Sequence, residues 1–475
     1  MRNLKRNLKV PPIHPLGQIR PFLKIASDYT LGIQGSWGLL RMFFAMNEAT
    51  GKKRLGIIVG GGPAPGINGV ISAVSLEALN QGWEVIGFQE GFRHLVRGDT
   101  TQNRLMTVEE AESVALKGGS CLSTARVNPA KSPEDMARVL AAFKTLGIDY
   151  LVTIGGDDTA FSGSRVYKEA KGAIRVAHVP KTIDNDLPLP PSVPTFGYET
   201  ARQIGADIVK NLAEDARTSR RWFLVVSMGR AAGHLALGIA KAATSEIAII
   251  PEEFRNGEVS LDLICDTIFG SILKNLSRGR NYGVAVLAEG LVESIGEKGL
   301  LAMGEAELGK YGNIVRDEHG HLRIAEIDFG RMIKDQVAKR LKAQGISLTL
   351  TEKTIGYELR CADPVAFDAE YTRDLGNAAV RFLTSEESTK YGAIICLANG
   401  KSQALEFESM IVPATGRLQN RRVDVDSEAF HVATRYMTRI TRADLGCEAT
   451  VTKLAALTKL APAEFKNRFD SVTTS

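Results

Sequence analysis

Two short acidic segments give this 475-residue chain its most specific chemistry. The first, GGDDT, occupies residues 155–159, and the second, PKTIDND, occupies residues 180–186. Each follows an apolar run that is typical of a β-strand. Together they contain four carboxylates, a lysine and threonine hydroxyls. This set of groups can hold a metal-bound phosphate chain and can accept the proton of an alcohol beside it.

The first segment places Asp157 and Asp158 after two glycines, at the end of the predicted strand 150–154. A carboxylate in this position can hold a hydrated Mg²⁺ that bridges to substrate phosphates. The alternative is that one of the two only caps the helix that begins near Thr159. Capping explains one carboxylate, but it does not explain two adjacent ones at a buried, glycine-flanked strand end.

In the second segment, Asp184 and Asp186 are two residues apart, so on an extended stretch both face the same side. One can accept an alcohol proton while the other holds it in position or holds a metal. Thr182 can hydrogen-bond a phosphate or a sugar hydroxyl, and Lys181 can neutralise developing charge. The alternative is a polar turn of the Asx type ahead of the prolines between 188 and 194.

A glycine-rich turn, GGGPAPGIN at residues 60–68, follows another predicted strand. Its glycines allow close approach of the backbone, and the helix that follows offers free N–H groups to an anion. The turn fits neither the GxGxxG pattern of dinucleotide sites nor the GxxxxGK[ST] pattern of P-loops. It favours phosphate binding, with tight packing as the alternative.

Short apolar runs alternate with helical patterns from residue 55 onward. Continuous apolar runs are typical of parallel strands that are covered on both faces, and apolar positions 67, 70, 71, 74 and 78 have helical spacing. Repetition of strand, glycine turn and helix predicts an α/β protein with doubly wound parallel sheets. The predicted strands are 55–59, 84–88, 150–154, 174–179, 222–227, 247–250, 283–288 and 393–397.

The net charge of +5 is unevenly distributed. Residues 1–54 contain ten Lys and Arg against two acids, which leaves a net charge of −3 on the rest of the chain. A folded body of this charge is not expected to bind nucleic acid. The apolar stretch 31–46 is interrupted by Arg41 and is too short to span a bilayer, so no membrane association is expected. Residues 1–50 are interpreted as a basic extension, either a targeting segment or sequence upstream of a start at Met42 or Met46.

The five cysteines are scattered, odd in number and without CxxC or Cys/His spacing. This pattern favours a reducing compartment, here the cytoplasm, and argues against a disulfide framework or structural zinc. The seven histidines include no HExxH motif.

These motifs, in this order, resemble those of the phosphofructokinase family over about residues 55–360. PKTIDND, and MGR at 228–230 with GGD upstream, are specific to that family. The resemblance implies Mg²⁺-dependent transfer of a phosphoryl group to the 1-hydroxyl of fructose 6-phosphate. It also implies two Rossmann-like domains with the active site in the cleft between them. The donor domain is expected at 51–196, completed by about 361–475, and the sugar-phosphate domain at 197–360 with an insertion near 296–330.

The resemblance also assigns roles to individual residues. Asp184 is expected to be the general base, Asp157 the Mg²⁺ ligand, and Asp186 a support for base or metal. Arg221 matches an arginine that reaches into a neighbouring subunit's site, which implies a homodimer or homotetramer. The expected donor ligands are Gly61, Gly62 and Arg126. The expected sugar-phosphate ligands are Thr182, Ile183, Asp184, Arg221, Met228, Gly229, Arg230, Glu289, Tyr357, Glu358, Leu359 and Arg360.

Two positions depart from the ATP-dependent pattern, since Asp158 and Lys181 stand where ATP users commonly have glycine. Both replacements resemble the pyrophosphate-dependent branch, so pyrophosphate is the expected donor and Asp158 and Lys181 its selectors. A carboxylate ~4 Å from the α-phosphate of ATP would cost roughly 4 kcal/mol at an effective dielectric of ~20, about three decades in affinity. The alternative is transfer from ATP, which requires Asp158 to point away from the donor.

Other classes of protein fit less well. A non-catalytic regulatory subunit would lack the base or the metal carboxylate, and both are present. A dehydrogenase would need a dinucleotide fingerprint, while NAD and lipid kinases share GGD but not PKTIDND. A different sugar phosphate, such as sedoheptulose 7-phosphate, remains open because no motif residue reports on the extra carbon.

Overall fold

Thirteen strands form three sheets in the part of the chain that the structure describes, which comprises residues 51–254, 259–314, 323–412 and 417–473 of a computed structural model. The basic extension 1–50 and residues 315–322 of the predicted insertion lie outside the described residues. In chain order the strands are β1 (Arg54–Val59), β2 (Glu84–Phe88), β3 (Asn103–Leu105), β4 (Tyr150–Gly155), β5 (Arg175–Pro180), β6 (Arg221–Ser227), β7 (Ile247–Ile249), β8 (Gly283–Ala288), β9 (Thr349–Ile355), β10 (Ala393–Ala398), β11 (Lys401–Glu406), β12 (Ile411–Val412) and β13 (Arg417–Leu418).

The larger sheet has seven strands in the order β11-β10-β5-β4-β1-β2-β3, and the smaller has four in the order β7-β8-β6-β9. The smaller sheet is parallel throughout, and in the larger one only the edge strands β3 and β11 run antiparallel. Parallel strands need covering helices on both faces, which explains why their sequences are continuous apolar runs. All eight predicted strands are present, and the predicted α/β class is confirmed.

Helices connect and cover the strands, and the helix over 67–80 begins where the apolar spacing predicts it, after Gly66 in the left-handed region at φ 90°. Within the described ranges, no helix is long and apolar enough to cross a membrane. The α-helices are Ile67–Asn80, Val108–Val114, Pro133–Leu146, Asp157–Ala170, Tyr198–Ser219, His234–Ala243, Leu261–Leu276, Gly290–Leu301, Glu305–Leu308, Phe329–Ala343, Ala366–Thr384, Phe407–Met410, Glu428–Tyr436, Arg442–Gly446, Glu448–Ala455 and Pro462–Asp470.

The sheet order places the chemical motifs at strand ends. In the larger sheet β2 and β3 lie on one side of β1, and the later strands lie on its other side, beginning with β4. The topological switch point is therefore between β1 and β4, and ligands of such sheets bind there, at the carboxyl ends of the strands. The glycine turn follows β1, the GGDDT segment begins at the end of β4, and the PKTIDND segment begins at the end of β5. In the smaller sheet, MGR follows β6, Glu289 follows β8, and Tyr357 follows β9 by two residues.

One buried carboxylate joins helices that belong to different layers. Asp368, on the helix Ala366–Thr384, is fully buried and accepts hydrogen bonds from the backbone N–H groups of Gly197 at 2.9 Å and Thr200 at 2.7 Å. It therefore caps the helix Tyr198–Ser219, whose own N-cap residue, Gly197, has no side chain to do so.

The chain after residue 361 divides between the two sheets. β10 pairs with β5, so this part of the chain returns to the larger sheet. The last helices instead pack in the core of the smaller sheet, where Phe465 and Phe469 are fully buried, a difference from the predicted assignment of 361–475 to the donor domain. Leu308 and Tyr311, within the predicted insertion, are also buried in that core. Apolar side chains spaced along amphipathic helices determine the placement of the last helices.

Candidate active site

The glycine turn after β1 is fixed by backbone and side-chain hydrogen bonds. The N–H of Gly61 donates to Ala125 O at 3.1 Å, and Thr124 Oγ1 donates to Gly61 O at 2.7 Å. Gly61 has φ 83°, a left-handed conformation that favours glycine. At Gly62 a Cβ would collide with the guanidinium of Arg360, so glycine lets this arginine approach the turn. The predicted donor residues Gly61 and Gly62 therefore lie beside a cation.

The carboxylates of Asp157 and Asp158 are exposed in the first turn of the helix Asp157–Ala170. The N-cap residue of that helix is Gly156, which has no side chain, so neither carboxylate caps it. Asn128 Nδ2 donates a 3.4 Å hydrogen bond to Asp158 Oδ1. Both carboxylates are thus exposed and do not cap their own helix.

Lys181 joins the second segment to the glycine turn. Its Nζ donates a hydrogen bond to Gly62 O and lies 3.3 Å from the position that a Cβ on Gly61 would occupy. The residue is only 5% exposed, and burial together with the charge of Arg360 lowers the pKa of Lys181 to about 8. A buried ammonium this close to two glycines is well placed to pair with a phosphate.

Asp184 presents a buried carboxylate oxygen that lacks a partner. Its Oδ1 accepts no hydrogen bond from any group in the described ranges. Burial, then the negative charges of Asp186 and Glu289, raises the pKa of Asp184 to about 7, while Arg230 and Lys181 act in the opposite direction. A carboxyl with this pKa can take a proton from an alcohol near neutral pH and return it.

Asp186 is the second buried carboxyl of the segment. Burial raises its pKa, and the charge of Asp157 adds to that effect, so the two carboxylates are near each other. In the described ranges no group of three or more His, Cys, Asp or Glu converges as a metal cage. Mg²⁺ commonly uses one or two carboxylates and completes its shell with water and substrate phosphates, and Asp157 with Asp186 fits that pattern.

The MGR segment and Glu289 form the adjoining wall. Glu289 Oε2 accepts a hydrogen bond from Gly229 N–H at 3.2 Å, and Gly290 N–H donates to Gly229 O at 3.1 Å. Gly229 has φ 133°, and a Cβ there would lie 3.8 Å from Asp184 Oδ1. The arrangement brings Met228 and Arg230 to the same side as the unpartnered oxygen of Asp184.

The segment after β9 supplies an exposed ring and a buried guanidinium. Tyr357 is 79% exposed, and the Arg360 guanidinium lies 5.4 Å from the centre of its ring. Arg360 Nε also donates to Pro63 O at 3.3 Å, so it connects this segment to the glycine turn. A cavity of about 360 Å³ opens between these segments, lined among others by Met228, Arg230, Glu289, Gly356, Tyr357 and Glu358.

Four of the predicted ligand residues have side chains that are buried or already hydrogen-bonded within the protein. The side chains of Ile183 and Leu359 are buried in the core of the smaller sheet, so these residues can offer only backbone groups to a ligand. Glu358 bonds to Lys353 at 3.4 Å and accepts from Gly356 N–H at 3.1 Å. Thr182 Oγ1 accepts a hydrogen bond from Asp184 N–H at 3.0 Å, which stabilises the turn of the PKTIDND segment.

Arg126 and Arg221 differ in their relation to this site. Arg126 is exposed, next to the residue that bridges to Gly60, and its charge acts on Lys181. Arg221 begins β6, whereas the site lies beyond its other end at Ser227, about 20 Å away along an extended strand. Arg221 therefore cannot contact the site of its own chain.

Sequence reasoning missed one residue that contacts the site loop. Arg421 donates hydrogen bonds to Asn185 O at 3.1 Å and to Val193 O at 2.7 Å. It lies far along the chain from the PKTIDND segment and belongs to no motif. A lone arginine beside Arg422 in a polar stretch gives no sequence signal for this contact.

Comparisons with known proteins agree on one family. A family model described as Phosphofructokinase matches residues 54–383. A Thermotoga maritima protein named pyrophosphate--fructose 6-phosphate 1-phosphotransferase is 49% identical over 419 residues, which are 88% of this chain and 98% of that protein. A Naegleria fowleri protein of the same name is 48% identical over 422 residues, which are 87% and 94% of the two chains. A solved structure titled pyrophosphate-dependent phosphofructokinase, from Marinobacter aquaeolei, has a TM-score of 0.59 at 16% identity, covers 86% of this chain and 91% of that chain, and supports the fold.

Proposed function

Since the chain belongs to the phosphofructokinase family, we propose that it transfers a phosphoryl group from pyrophosphate to the 1-hydroxyl of fructose 6-phosphate. The products are fructose 1,6-bisphosphate and phosphate. The observation that carries this proposal is the buried Asp184 Oδ1, which lacks a partner among the described residues and lies between the Lys181 side and the Glu289 side of the site. Because pyrophosphate and fructose 1,6-bisphosphate are phosphoryl donors of comparable energy, the reaction runs in both directions.

Asp184 acts as the base on the sugar. The 1-hydroxyl oxygen forms a bond to the terminal phosphorus of pyrophosphate, the bond from that phosphorus to the bridging oxygen breaks, and phosphate leaves with the electron pair. The hydroxyl proton passes to Asp184, whose pKa of about 7 suits both directions of transfer. Asp186 and Glu289 raise that pKa by their negative charge, so they contribute to the basicity of Asp184.

Lys181 and Arg126 bind the donor phosphates. The Lys181 ammonium and the Arg360 guanidinium both reach the glycine turn, where Gly61 and Gly62 have no side chains to keep an anion from these cations. Asp157, supported by Asp186, would hold Mg²⁺, which when bound neutralises charge on the transferring phosphoryl group. Positioning and this electrostatic stabilisation provide most of the catalysis.

Asp158 selects the donor. Its carboxylate is exposed at the start of a helix beside the donor turn, and Asn128 Nδ2 donates a 3.4 Å hydrogen bond to it. We infer that bound pyrophosphate would leave room for this carboxylate, whereas the α-phosphate of ATP would be repelled by it. Transfer from ATP is therefore the disfavoured alternative.

The sugar phosphate occupies the side formed by MGR, Glu289 and the segment after β9. Glu289 and Arg230 lie beside Asp184, Tyr357 lines the adjoining cavity, and the Arg360 guanidinium lies 5.4 Å from the centre of the Tyr357 ring. Backbone groups of Ile183 and Leu359, and the side chains of Met228 and Glu358, complete this wall. Thr182 supports it through its bond to the Asp184 N–H.

Arg221 completes the site of a neighbouring subunit, so the enzyme works as a homodimer or homotetramer. Arg221 stands at the end of β6 that lies away from the site of its own chain, which is the placement expected of a residue that serves another copy. Arg221 Nε donates no hydrogen bond to any described residue and pairs only at 4.0 Å with Asp215 Oδ1. The five free cysteines support a reducing compartment, for which we propose the cytoplasm.

A steady-state assay that crosses two donors with two sugars tests this function. Purified enzyme is given pyrophosphate or ATP, each with fructose 6-phosphate or sedoheptulose 7-phosphate, and product is measured with Mg²⁺ present. We expect turnover with pyrophosphate and fructose 6-phosphate, and a kcat/KM for ATP about three decades lower. Equal turnover with ATP, or none with pyrophosphate, would contradict the proposal.

A further inference from the structure

The side chain of Arg421 fastens the loop that carries both predicted catalytic carboxylates. Its Nε donates to Asn185 O at 3.1 Å, its Nη1 donates to Val193 O at 2.7 Å, and its Nη2 bonds to Asn185 Oδ1. The backbone N–H of Arg421 donates to Asp186 O at 2.7 Å. Four hydrogen bonds from one residue therefore converge on residues 185–193, three from the planar guanidinium with its fixed fork of donors and one from the backbone N–H.

Asn185 is the residue of this loop whose hydrogen bonds bear most directly on the orientation of Asp184 and Asp186. It lies between Asp184 and Asp186 and has φ 55°, in the left-handed region that asparagine tolerates better than most residues. Its Oδ1 also accepts a hydrogen bond from Thr195 N–H at 3.0 Å. The turn at Asn185 determines how the two neighbouring carboxylates point, and Arg421 bonds to both polar oxygens of that residue.

The segment that carries Arg421 is also fixed to the smaller sheet. Val423 N–H donates to Glu252 Oε1 at 3.1 Å, and the same oxygen accepts a hydrogen bond from Gly233 N–H at 2.9 Å. Val423 is 9% exposed in the core of that sheet, and Gly233 lies three residues after Arg230 of the MGR segment. Residues 421–423 thus connect the base-bearing loop to the wall expected to bind the sugar.

We propose that Arg421 is a positioning residue for phosphoryl transfer: through Asn185 it orients Asp184 and Asp186 toward the sugar side. The inference rests on the proposed function, because orientation matters for turnover only if Asp184 is the base. Arg421 acts through the loop and does not touch the reacting atoms. Misplacing a reacting group by about 1 Å can cost on the order of 100-fold in rate, so loss of these bonds should lower kcat while substrate binding is largely kept.

Kinetic constants of Arg421→Met separate positioning from binding. We expect kcat to fall by about 30-fold or more with both KM values within about threefold of wild type. Arg435→Met, at an exposed site on the helix Glu428–Tyr436, serves as the matched control and should stay within about twofold. If Arg421 acts through Asn185, the double variant Arg421→Met/Asn185→Ala loses about as much as the more damaged single variant. A kcat within twofold of wild type, or additive losses in the double variant, would overturn the inference.

Hydrogen exchange of the loop gives a readout independent of turnover. In Arg421→Met, or in Arg421→Lys if the first variant folds poorly, peptides from residues 181–195 should exchange faster, while peptides from β1 and β4 keep their wild-type rates. Unchanged exchange in 181–195 would contradict the inference whatever the activity. A wild-type enzyme that is inactive with pyrophosphate refutes the proposed function, whereas an active wild type with an equally active Arg421→Met refutes only the role of Arg421.

Discussion

The ammonium of Lys181 donates a hydrogen bond to the carbonyl oxygen of Gly62, and so joins the end of β5 to the turn after β1. β4 lies between these two strands in the sheet, so the bond spans the strand whose end carries Asp157 and Asp158. One buried cation therefore borders the glycine turn and both acidic segments. In the proposed reaction the Lys181 ammonium contacts the donor phosphates beside the phosphoryl group that is transferred to the sugar.

Replacing this cation should weaken donor use more than sugar use. In Lys181→Met, the Gly62 carbonyl and the bound phosphate both lose a charged donor, and kcat/KM for pyrophosphate should fall by about 100-fold. KM for fructose 6-phosphate should change by less than about threefold. Lys144→Met, at an exposed lysine on the helix Pro133–Leu146, is the control. Equal losses for both substrates would argue against donor contact by Lys181.

The pH dependence of kcat/KM for pyrophosphate should form a narrow bell. Asp184 must be ionised to accept a proton, so activity rises with pH through its pKa of about 7. Lys181 must keep its proton to bind phosphate, so activity falls as pH rises through its pKa of about 8. Initial rates between pH 5.5 and 9.5 with subsaturating pyrophosphate measure this profile. A flat profile across that range would contradict both assignments.

Asp184→Asn should remove catalysis and stabilise the fold. Turnover should fall by about 1,000-fold or more, because the asparagine amide cannot accept the proton. The folded-state pKa of Asp184 is raised above the unfolded value, so its stabilising protonated form is lost as pH rises through about 7. The gain in Tm of the variant over wild type should therefore be larger at pH 8 than at pH 5. A variant that is less stable than wild type at pH 8 would contradict the unpaired, buried position of the Asp184 carboxylate.

Arg221 allows a test of shared sites. An Arg221→Ala variant and an Asp184→Asn variant should each be nearly inactive, since each lacks one part of every site. Subunits mixed by partial unfolding and refolding should regain activity in about a quarter of the sites of a dimer with twofold symmetry. Activity that stays at the level of the separate variants would show that Arg221 does not complete a neighbouring site.

Strands with continuous apolar runs could be predicted from the sequence, and the edge strand β9 could not. Parallel strands covered on both faces must be apolar throughout, and that requirement leaves a clear pattern. β9 reads TLTEKTI, lies at the edge of the smaller sheet and exposes several polar side chains, so it lacks such a run. Its place depends on pairing with β6, which the local sequence does not specify.

Site residues were predictable where a motif ends a strand, because the carboxyl ends of parallel strands meet at one edge. Asp157, Asp184 and Glu289 are examples. The role of Arg421 was not predictable, because it depends on a tertiary contact with Asn185 and not on the neighbours of Arg421 in the chain. The same reason explains the last helices, since the choice between two apolar cores depends on the complete fold.

Donor preference in wild type and in Asp158→Gly/Lys181→Gly tests the central claim most directly. The ratio of kcat/KM for pyrophosphate to that for ATP should exceed about 1,000 in the wild type, because the Asp158 carboxylate repels the α-phosphate of ATP. In the double variant this repulsion is absent, and the ratio should fall by about three decades. A ratio that is unchanged in the double variant would contradict the claim that Asp158 and Lys181 select the donor.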